Sequence, residues 1–104
     1  MEKISYKDMI DGINSGLIDD VHFSLTTYNH YRSCHLRRVY YYSEILKKDV
    51  FDCIELCLCD DRSEYSKYAG KFEDRERVFK IKGKGSFTLR DVYKHIEIIS
   101  ITYH

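Results

Sequence analysis

The sequence contains no proline and no tryptophan among its 104 residues, and its formal net charge is zero. Without proline it has no polyproline linker and no proline-rich recognition segment. Dedicated DNA-binding domains need an excess of Lys and Arg to contact phosphates, and nucleic-acid mimics need an acidic excess. Its 17 basic residues are balanced by 17 acidic ones, so the charge argues against both classes.

Long apolar runs are also missing. No segment approaches the ~18 apolar residues that a membrane span requires. The first residues, Met-Glu-Lys, lead into a polar amphipathic stretch rather than the apolar core of a secretory signal. We therefore expect no membrane contact and a cytoplasmic location, where the cysteines stay reduced. The four are Cys34, Cys53, Cys57 and Cys59.

The residues that are present indicate a globular protein. Hydrophobic residues make up 43% of the chain and charged residues 33%, which is outside the range of disordered sequences. A chain of 104 residues suits one domain, so we predict a single domain over residues 1–104. Abundant Tyr, Ile and Lys without proline or tryptophan is typical of small proteins from AT-rich bacterial genomes and their phages.

The last third of the chain organises the prediction. Residues 78–82 alternate apolar and lysine side chains as in a half-buried strand, and Gly83 and Gly85 then permit a turn. Thr88 and Asp91 have the spacing of a helix cap. Residues 96–103 carry bulky apolar groups on both alternating faces. This pattern predicts a short helix followed by a central strand that is covered on both sides.

The first third repeats the capping pattern. Ser5 and Asp8 have cap spacing, and Gly16 suits the left-handed position after a helix, which predicts a helix over residues 6–15. Residues 21–26 then alternate as a half-buried strand.

Residues 36–42 and 50–59 predict two further strands, and residues 43–49 between them predict a turn or a brief helical excursion. An amphipathic helix from Ser43 to about Cys57 is an alternative for the second of them. Residues 60–74 are polar and predict a long exposed connection, with room for one helical turn from Ser63. Acidic residues 49–64 and basic residues 75–84 are expected to pair across two strands.

Together these elements predict an α+β domain in the order α-β-β-β-β-α-β. Its antiparallel sheet has four to five strands, with two short helices packed against it. Two short helices leave part of the sheet uncovered, so a homodimer is a further expectation.

Residues 27–35 lack aliphatic side chains and are expected to lie outside the core, in a loop. They are rich in Tyr, His and Arg, the residue types that recognition surfaces favour. With the adjoining strand they give a candidate binding surface, composed of Tyr28, His30, Tyr31, Arg32, His35, Arg37, Arg38 and Tyr40.

No pattern predicts catalysis, a metal or a cofactor. Cys53, Cys57 and Cys59 lie on one predicted strand without the paired knuckles of a zinc site, so we interpret them as small thiols packed beneath a helix. Cys34 and His35 are neighbours on a strand and point to opposite faces, which excludes a simple dyad.

We therefore predict a non-enzymatic protein that acts through a protein–protein surface. Its composition suits an inhibitor or accessory factor of a phage or mobile element, for example an anti-defence protein. One alternative is a small-molecule or nucleotide binder that uses an Arg/Tyr face. A second is an RNA-binding module, in which Arg37 and Arg38 contact phosphates and the tyrosines stack on bases.

Overall fold

The computed structural model describes residues 3–26, 31–59 and 63–104. It confirms the α+β class and the five-stranded antiparallel sheet. The main sheet follows an N-terminal helix, and a small two-stranded sheet and a short helix precede its last strand. In chain order the elements are α1 (Tyr6–Ser15), β1 (Ile18–Leu25), β2 (Tyr31–Ser43), β3 (Lys48–Cys59), β4 (Ser63–Ala69), β5 (Phe79–Ile81), β6 (Gly85–Phe87), α2 (Leu89–Val92) with a 3₁₀ turn at Tyr93–His95, and β7 (Glu97–Tyr103).

Helix α1 forms where its capping pattern predicts it. The Asp8 N–H donates to Ser5 Oγ at 3.0 Å, and Gly16 ends the helix in the left-handed region with a φ of 86°. Its inner face buries Met9 and Ile13 against the sheet. A Cβ at Gly12 would lie only 2.5 Å from Ile18 Cδ1, so this glycine permits the helix to lie directly on the start of β1.

Helix α2 begins with the predicted reciprocal cap. The Asp91 N–H donates to Thr88 Oγ1 at 3.2 Å, and the Thr88 N–H donates to Asp91 Oδ2 at 3.0 Å. Two apolar side chains of this short helix, Leu89 and Val92, are buried in the core. Neither helix in the described part of the chain is long and apolar enough to cross a membrane.

The order of strands in the main sheet is β4-β3-β2-β1-β7. One face carries the core, where Val21, Phe23 and Leu25 of β1 point inward as predicted and are at most 1% exposed. The helices and Phe79 and Ile81 of β5 belong to the same buried cluster, so they all pack on this face. We call the opposite face the open face.

Strand β3 is a strand and not the alternative helix. Ile54, Leu56 and Leu58 are buried on the core face, in register with β2 on one side and β4 on the other. Strand pairing on both edges also buries Cys53 and Cys57 on the open face. The prediction that the cysteines pack beneath a helix is therefore wrong, because the helices lie on the other face.

Strand β7 is an edge strand, which corrects the prediction of a central one. In the described chain it pairs with β1 only, and its register shifts beside Ile99. The shift is a bulge that turns Ile99 outward, so this side chain is 52% exposed. The apolar content of residues 96–103 therefore reflects a bulged edge and not burial on both faces.

The predicted pairing of the acidic and basic runs is also wrong. Strand β5 pairs with β6 in a separate small sheet, whereas β3 pairs with β2 and β4. Strand β4 occupies residues that we expected to form an exposed connection. It is an edge strand with only Ser66 and Tyr68 half-buried, so its sequence carries almost no apolar alternation.

Candidate functional site

The β2–β3 hairpin extends beyond its neighbours in the sheet. Strand β1 pairs with β2 only as far as Arg37, and β4 pairs with β3 only as far as Cys53. Residues 40–51 therefore form a two-stranded ribbon, which we call the arm. The molecule measures 50 Å along its longest axis and 26 Å and 22 Å along the others.

The root of the arm is fixed to the body by Arg38. Its guanidinium lies 4.0 Å from the centre of the Phe51 ring and donates to the Ile13 carbonyl oxygen at 2.7 Å. Tyr40 packs edge-to-face on Phe51, and its hydroxyl donates to Asp19 Oδ1 at 3.0 Å. These contacts hold the ribbon at a defined angle to the body.

The turn of the arm, Glu44–Lys47, is closed by Ser43. The Ser43 carbonyl accepts from the Lys47 N–H at 2.7 Å, and Ser43 Oγ accepts from the Leu46 N–H at 3.1 Å. Lys47 has a φ of 56°, a left-handed conformation that favours glycine or asparagine. The turn contains no glycine, proline, asparagine or aspartate.

The outer part of the arm exposes large apolar side chains. Tyr41 and Tyr42 are 53% and 55% exposed, Leu46 is 58% exposed and Ile45 is 92% exposed. Tyr41 and Tyr42 are neighbours on β2 and lie on opposite faces of the ribbon, so with Ile45 and Leu46 at the turn they place apolar side chains on both faces and at the tip. We call these four residues the arm patch.

The candidate binding residues predicted from the sequence fall into different environments. Tyr28 and His30 lie outside the described residues. Tyr31 opens β2 and is only 5% exposed, so the expectation that residues 27–35 lie in a loop outside the core is wrong from Tyr31 onward. Its hydroxyl accepts from the Lys80 N–H at 2.8 Å and its ring packs on Phe79, which joins β2 to β5.

Arg32 is exposed, while His35 lies half-buried on the open face. His35 Nδ1 is 2.9 Å from Asp20 Oδ1, and its ring stacks on His22 with centroids 4.3 Å apart. His22 Nε2 in turn lies 2.9 Å from Ser33 Oγ. The open face therefore carries a polar row across β1 and β2.

Arg37 and Arg38 do not form one cationic surface. Arg37 donates to Glu55 Oε1 from Nη2 at 2.7 Å and from Nε at 3.1 Å, and this hydrogen bonding raises its pKa. Arg38 is directed toward the core face and holds the root of the arm together with Tyr40. The lysines of residues 80–84 belong to the other, smaller sheet and its turn.

The cysteines also separate into two groups. Cys34 is buried in the core while His35 faces the other side, as predicted for neighbours on a strand. Cys57 and Cys59 lie on the open face with their sulfurs 3.4 Å apart. Burial and the neighbouring Cys59 raise the pKa of Cys57 to about 11. Across residues 3–26, 31–59 and 63–104, no three His, Cys, Asp or Glu side chains could hold a metal ion together.

A cleft of about 510 Å³ lies between α1 and the segment before α2. Its polar groups bind one another: Tyr6 donates to Asp74 at 2.8 Å, and Arg90 lies 4.9 Å from the centre of the Tyr6 ring. Asp74 also accepts from the Leu89 and Arg90 N–H groups at the start of α2. These contacts give the polar groups of the cleft hydrogen-bond partners, and they link α1 to α2.

The predicted turn within residues 43–49 is confirmed, but the projection of the arm and the exposure of its apolar side chains were missed. The sequence did contain a signal for exposed apolar side chains at this turn. The four turn residues include Ile45 and Leu46 and none of the residue types that favour turns. The helical alternative for residues 43–57 offered a different explanation for these two side chains, as part of an amphipathic stripe.

No protein-family model, curated protein or solved structure matches this chain. The functional interpretation therefore rests on the chemistry of the arm and of the open face.

Proposed function

We propose that this protein is a non-enzymatic binding protein that docks on another protein through its arm. The observation that carries the proposal is Ile45, 92% exposed at the tip of a ribbon that projects from the body. Leu46, the next residue of the turn, is 58% exposed. Contiguous exposed apolar groups of this kind mark interaction sites in soluble domains.

The residue types in the turn of the arm indicate that its exposed apolar side chains have a function. Turns favour glycine, asparagine and aspartate, yet this turn places Ile45 and Leu46 in solvent and a lysine in the left-handed region. Sequences that break such rules without a packing gain often do so at functional positions. Two exposed tyrosines beside the turn add the residue type that anchors many interfaces.

The charges next to the arm patch indicate what kind of surface the partner would present. Glu44, Lys47, Lys48 and Asp49 lie beside it in the sequence of the arm with two charges of each sign, and Lys47 Nζ lies 3.7 Å from Glu44 Oε2. A balanced polar rim around an apolar centre is the usual anatomy of a protein interface. We therefore expect an apolar groove bordered by both signs of charge on the partner, and not a strongly acidic surface.

The alternatives have less support. A nucleotide or RNA bound by an Arg/Tyr face would need free guanidinium groups. Arg37 is engaged by Glu55, and Arg38 by the Ile13 carbonyl and Phe51. An anionic nucleotide is thus expected to leave the melting temperature unchanged.

We also propose that the protein acts in the cytoplasm as an inhibitor or accessory factor, in keeping with the absence of disulfide bonds among its described cysteines. The origin in a phage or mobile element stays a proposal from composition. A homodimer is the competing use of the arm, in which the partner is a second copy of this chain.

A photo-crosslinking amino acid at position 45 tests the proposal. In an extract of the native host we expect one discrete adduct, whose mass exceeds that of this chain by the mass of a different protein. The matched control is the same group at position 99, since Ile99 is also exposed but lies on β7. Equal adducts at both positions, or an adduct of twice the chain mass, would contradict docking of a different protein through the arm.

A further inference from the structure

Two thiols meet on the open face of β3. Cys57 and Cys59 are two residues apart, so a strand places both side chains on the same face. In a regular strand, Cβ atoms at that spacing are farther apart than the ~3.5–4.5 Å of a disulfide, so a bond between them requires backbone movement. The sulfurs nevertheless lie 3.4 Å apart, which requires the two side chains to lean toward each other.

The two thiols differ in their surroundings. Cys59 is partly exposed, and Ser63 Oγ donates to its sulfur at 3.7 Å. Cys57 is 3% exposed, lies between β2 and β4, and has a raised pKa. Solvent and oxidants therefore reach Cys59 first, while Cys57 is held behind it in the protonated form.

We propose that Cys57 and Cys59 form a peroxide-sensitive dithiol that closes to a reversible disulfide within β3. This site is independent of the arm and of its partner. The arrangement of one accessible thiol beside a resolving thiol is the usual geometry of a redox-sensitive pair.

The chemistry needs only hydrogen peroxide as oxidant. The Cys59 thiolate attacks one peroxide oxygen, the O–O bond breaks, and Cys59 becomes a sulfenic acid with release of hydroxide, or of water after protonation. The Cys57 sulfur then attacks the Cys59 sulfur, the S–O bond breaks, and water leaves with the Cys57 proton. Two electrons pass from the two sulfurs to the peroxide.

The disulfide would be strained. Residues two apart on a strand have Cα atoms about 6.6–6.8 Å apart, which is the upper end of the disulfide range of about 4.4–6.8 Å. Closure therefore shortens β3 locally, opposite Tyr65 and Ser63 of β4. A strained disulfide is easily reduced, so we expect the change to be reversible and to loosen the β4 edge.

The test combines hydrogen peroxide with mass spectrometry. After peroxide treatment the protein is denatured, alkylated with iodoacetamide and cleaved after glutamate. Cleavage at Glu55 and Glu64 isolates residues 56–64, which contain Cys57 and Cys59 but not Cys53. We expect this peptide to lose two hydrogen atoms and take up no alkyl group, while Cys53 is alkylated. Dithiothreitol before alkylation should restore two alkyl groups.

Two variants separate the roles of the thiols. With Cys57→Ser, Cys59 has no resolving partner and is expected to proceed to sulfinic acid. With Cys59→Ser, Cys57 is expected to be recovered alkylated and unoxidised. Two alkyl groups on the wild-type peptide after peroxide would overturn the proposal. So would a disulfide between two chains, or sulfinic acid in place of the disulfide.

Discussion

The two ends of the β2–β3 hairpin differ in what determines their side chains. At its base, β1 and β4 flank the two strands, and Leu36, Ile54 and Leu56 are at most 1% exposed. At its tip no described strand flanks the ribbon, and Ile45 and Leu46 are mostly in solvent. The same residue types therefore stabilise the fold at one end and contribute little to folding at the other.

The apolar residues at the base of the hairpin can be explained by folding, whereas those at its tip need another explanation. Apolar side chains at the base are explained by about 2 kcal/mol or more of burial free energy each. Apolar side chains at the tip receive no such gain, because the folded and unfolded chains expose them to a similar degree. We propose that burial against a partner explains their presence at the tip.

The largest effect is expected at the base. Leu56→Ala should reduce the free energy of unfolding by roughly 2–5 kcal/mol, because it opens a cavity in the buried core. Chemical denaturation with urea measures the loss. Leu46→Ala, the same substitution at the tip, should change the value by less than about 0.5 kcal/mol. Similar losses for the two variants would show that the arm is packed rather than exposed.

The second effect concerns the polar contacts that join the helices. Asp74→Ala removes the acceptor for the Tyr6 hydroxyl and for the Leu89 and Arg90 N–H groups. We expect destabilisation of roughly 2–3 kcal/mol, since a partly buried hydroxyl and a helix start lose their partner. The control Asp11→Ala breaks an exposed ion pair with Lys7 and should alter thermal unfolding little. An Asp74 variant as stable as wild type would show that the cleft does not couple the helices.

The third effect is a loss of stability at alkaline pH, which arises from partly buried tyrosines outside the arm. Burial and the Asp74 hydrogen bond raise the pKa of Tyr6, and burial raises the pKa of Tyr68 to about 12 and also that of Tyr93. In the unfolded chain tyrosines lose their protons near pH ~10, so there the folded state holds more protons. The stabilisation is complete below that pH and declines as the pH rises toward about 12.

The decline is at most about 1.4 kcal/mol per pH unit for each tyrosine. Tyr68→Phe should make the pH dependence of urea unfolding shallower above pH ~10. Tyr41→Phe in the arm, where the side chain is 53% exposed, is the matched control and should leave the slope unchanged. If the pH dependence of unfolding changed in the Tyr41 variant and not in the Tyr68 variant, its assignment to the buried tyrosines would be wrong.

The smallest effect is a gain. Lys47→Gly relieves a left-handed backbone conformation in the turn and should stabilise the protein by roughly 0.5–1 kcal/mol. A rise in melting temperature would measure it. Lys48→Gly is the control, because it replaces a strand residue and should lower the melting temperature. A loss of stability in the Lys47 variant would mean that the lysine has packing contacts that outweigh the strain.

The sequence was informative wherever local chemistry determines local structure. The caps at Ser5 and Thr88, the left-handed Gly16 and the alternation of β1 and β3 are all contained in short segments. Each of these was predicted correctly, because its energetic basis lies within about five residues of chain.

What the sequence could not provide was the pairing of strands and the exposure of the arm. The edge position of β7 depends on which strand lies beside β1, and the two-stranded sheet depends on Gly85–Phe87 returning to β5. The candidate surface failed in part for the same reason: Tyr31 is an excellent recognition residue by type, but its strand directs it into the core.

The most direct measurement compares partner capture by Ile45→Ser/Leu46→Ser with capture by Leu17→Ser/Ile99→Ser. Leu17 and Ile99 are 62% and 52% exposed on the body, so both double variants remove two exposed apolar side chains. With the partner identified by crosslinking, the account predicts at least a tenfold weaker affinity for the arm variant alone, which corresponds to about 1.4 kcal/mol. Both variants should unfold at the wild-type urea midpoint. Undiminished capture by the arm variant, or equal losses in the two, would contradict the central claim.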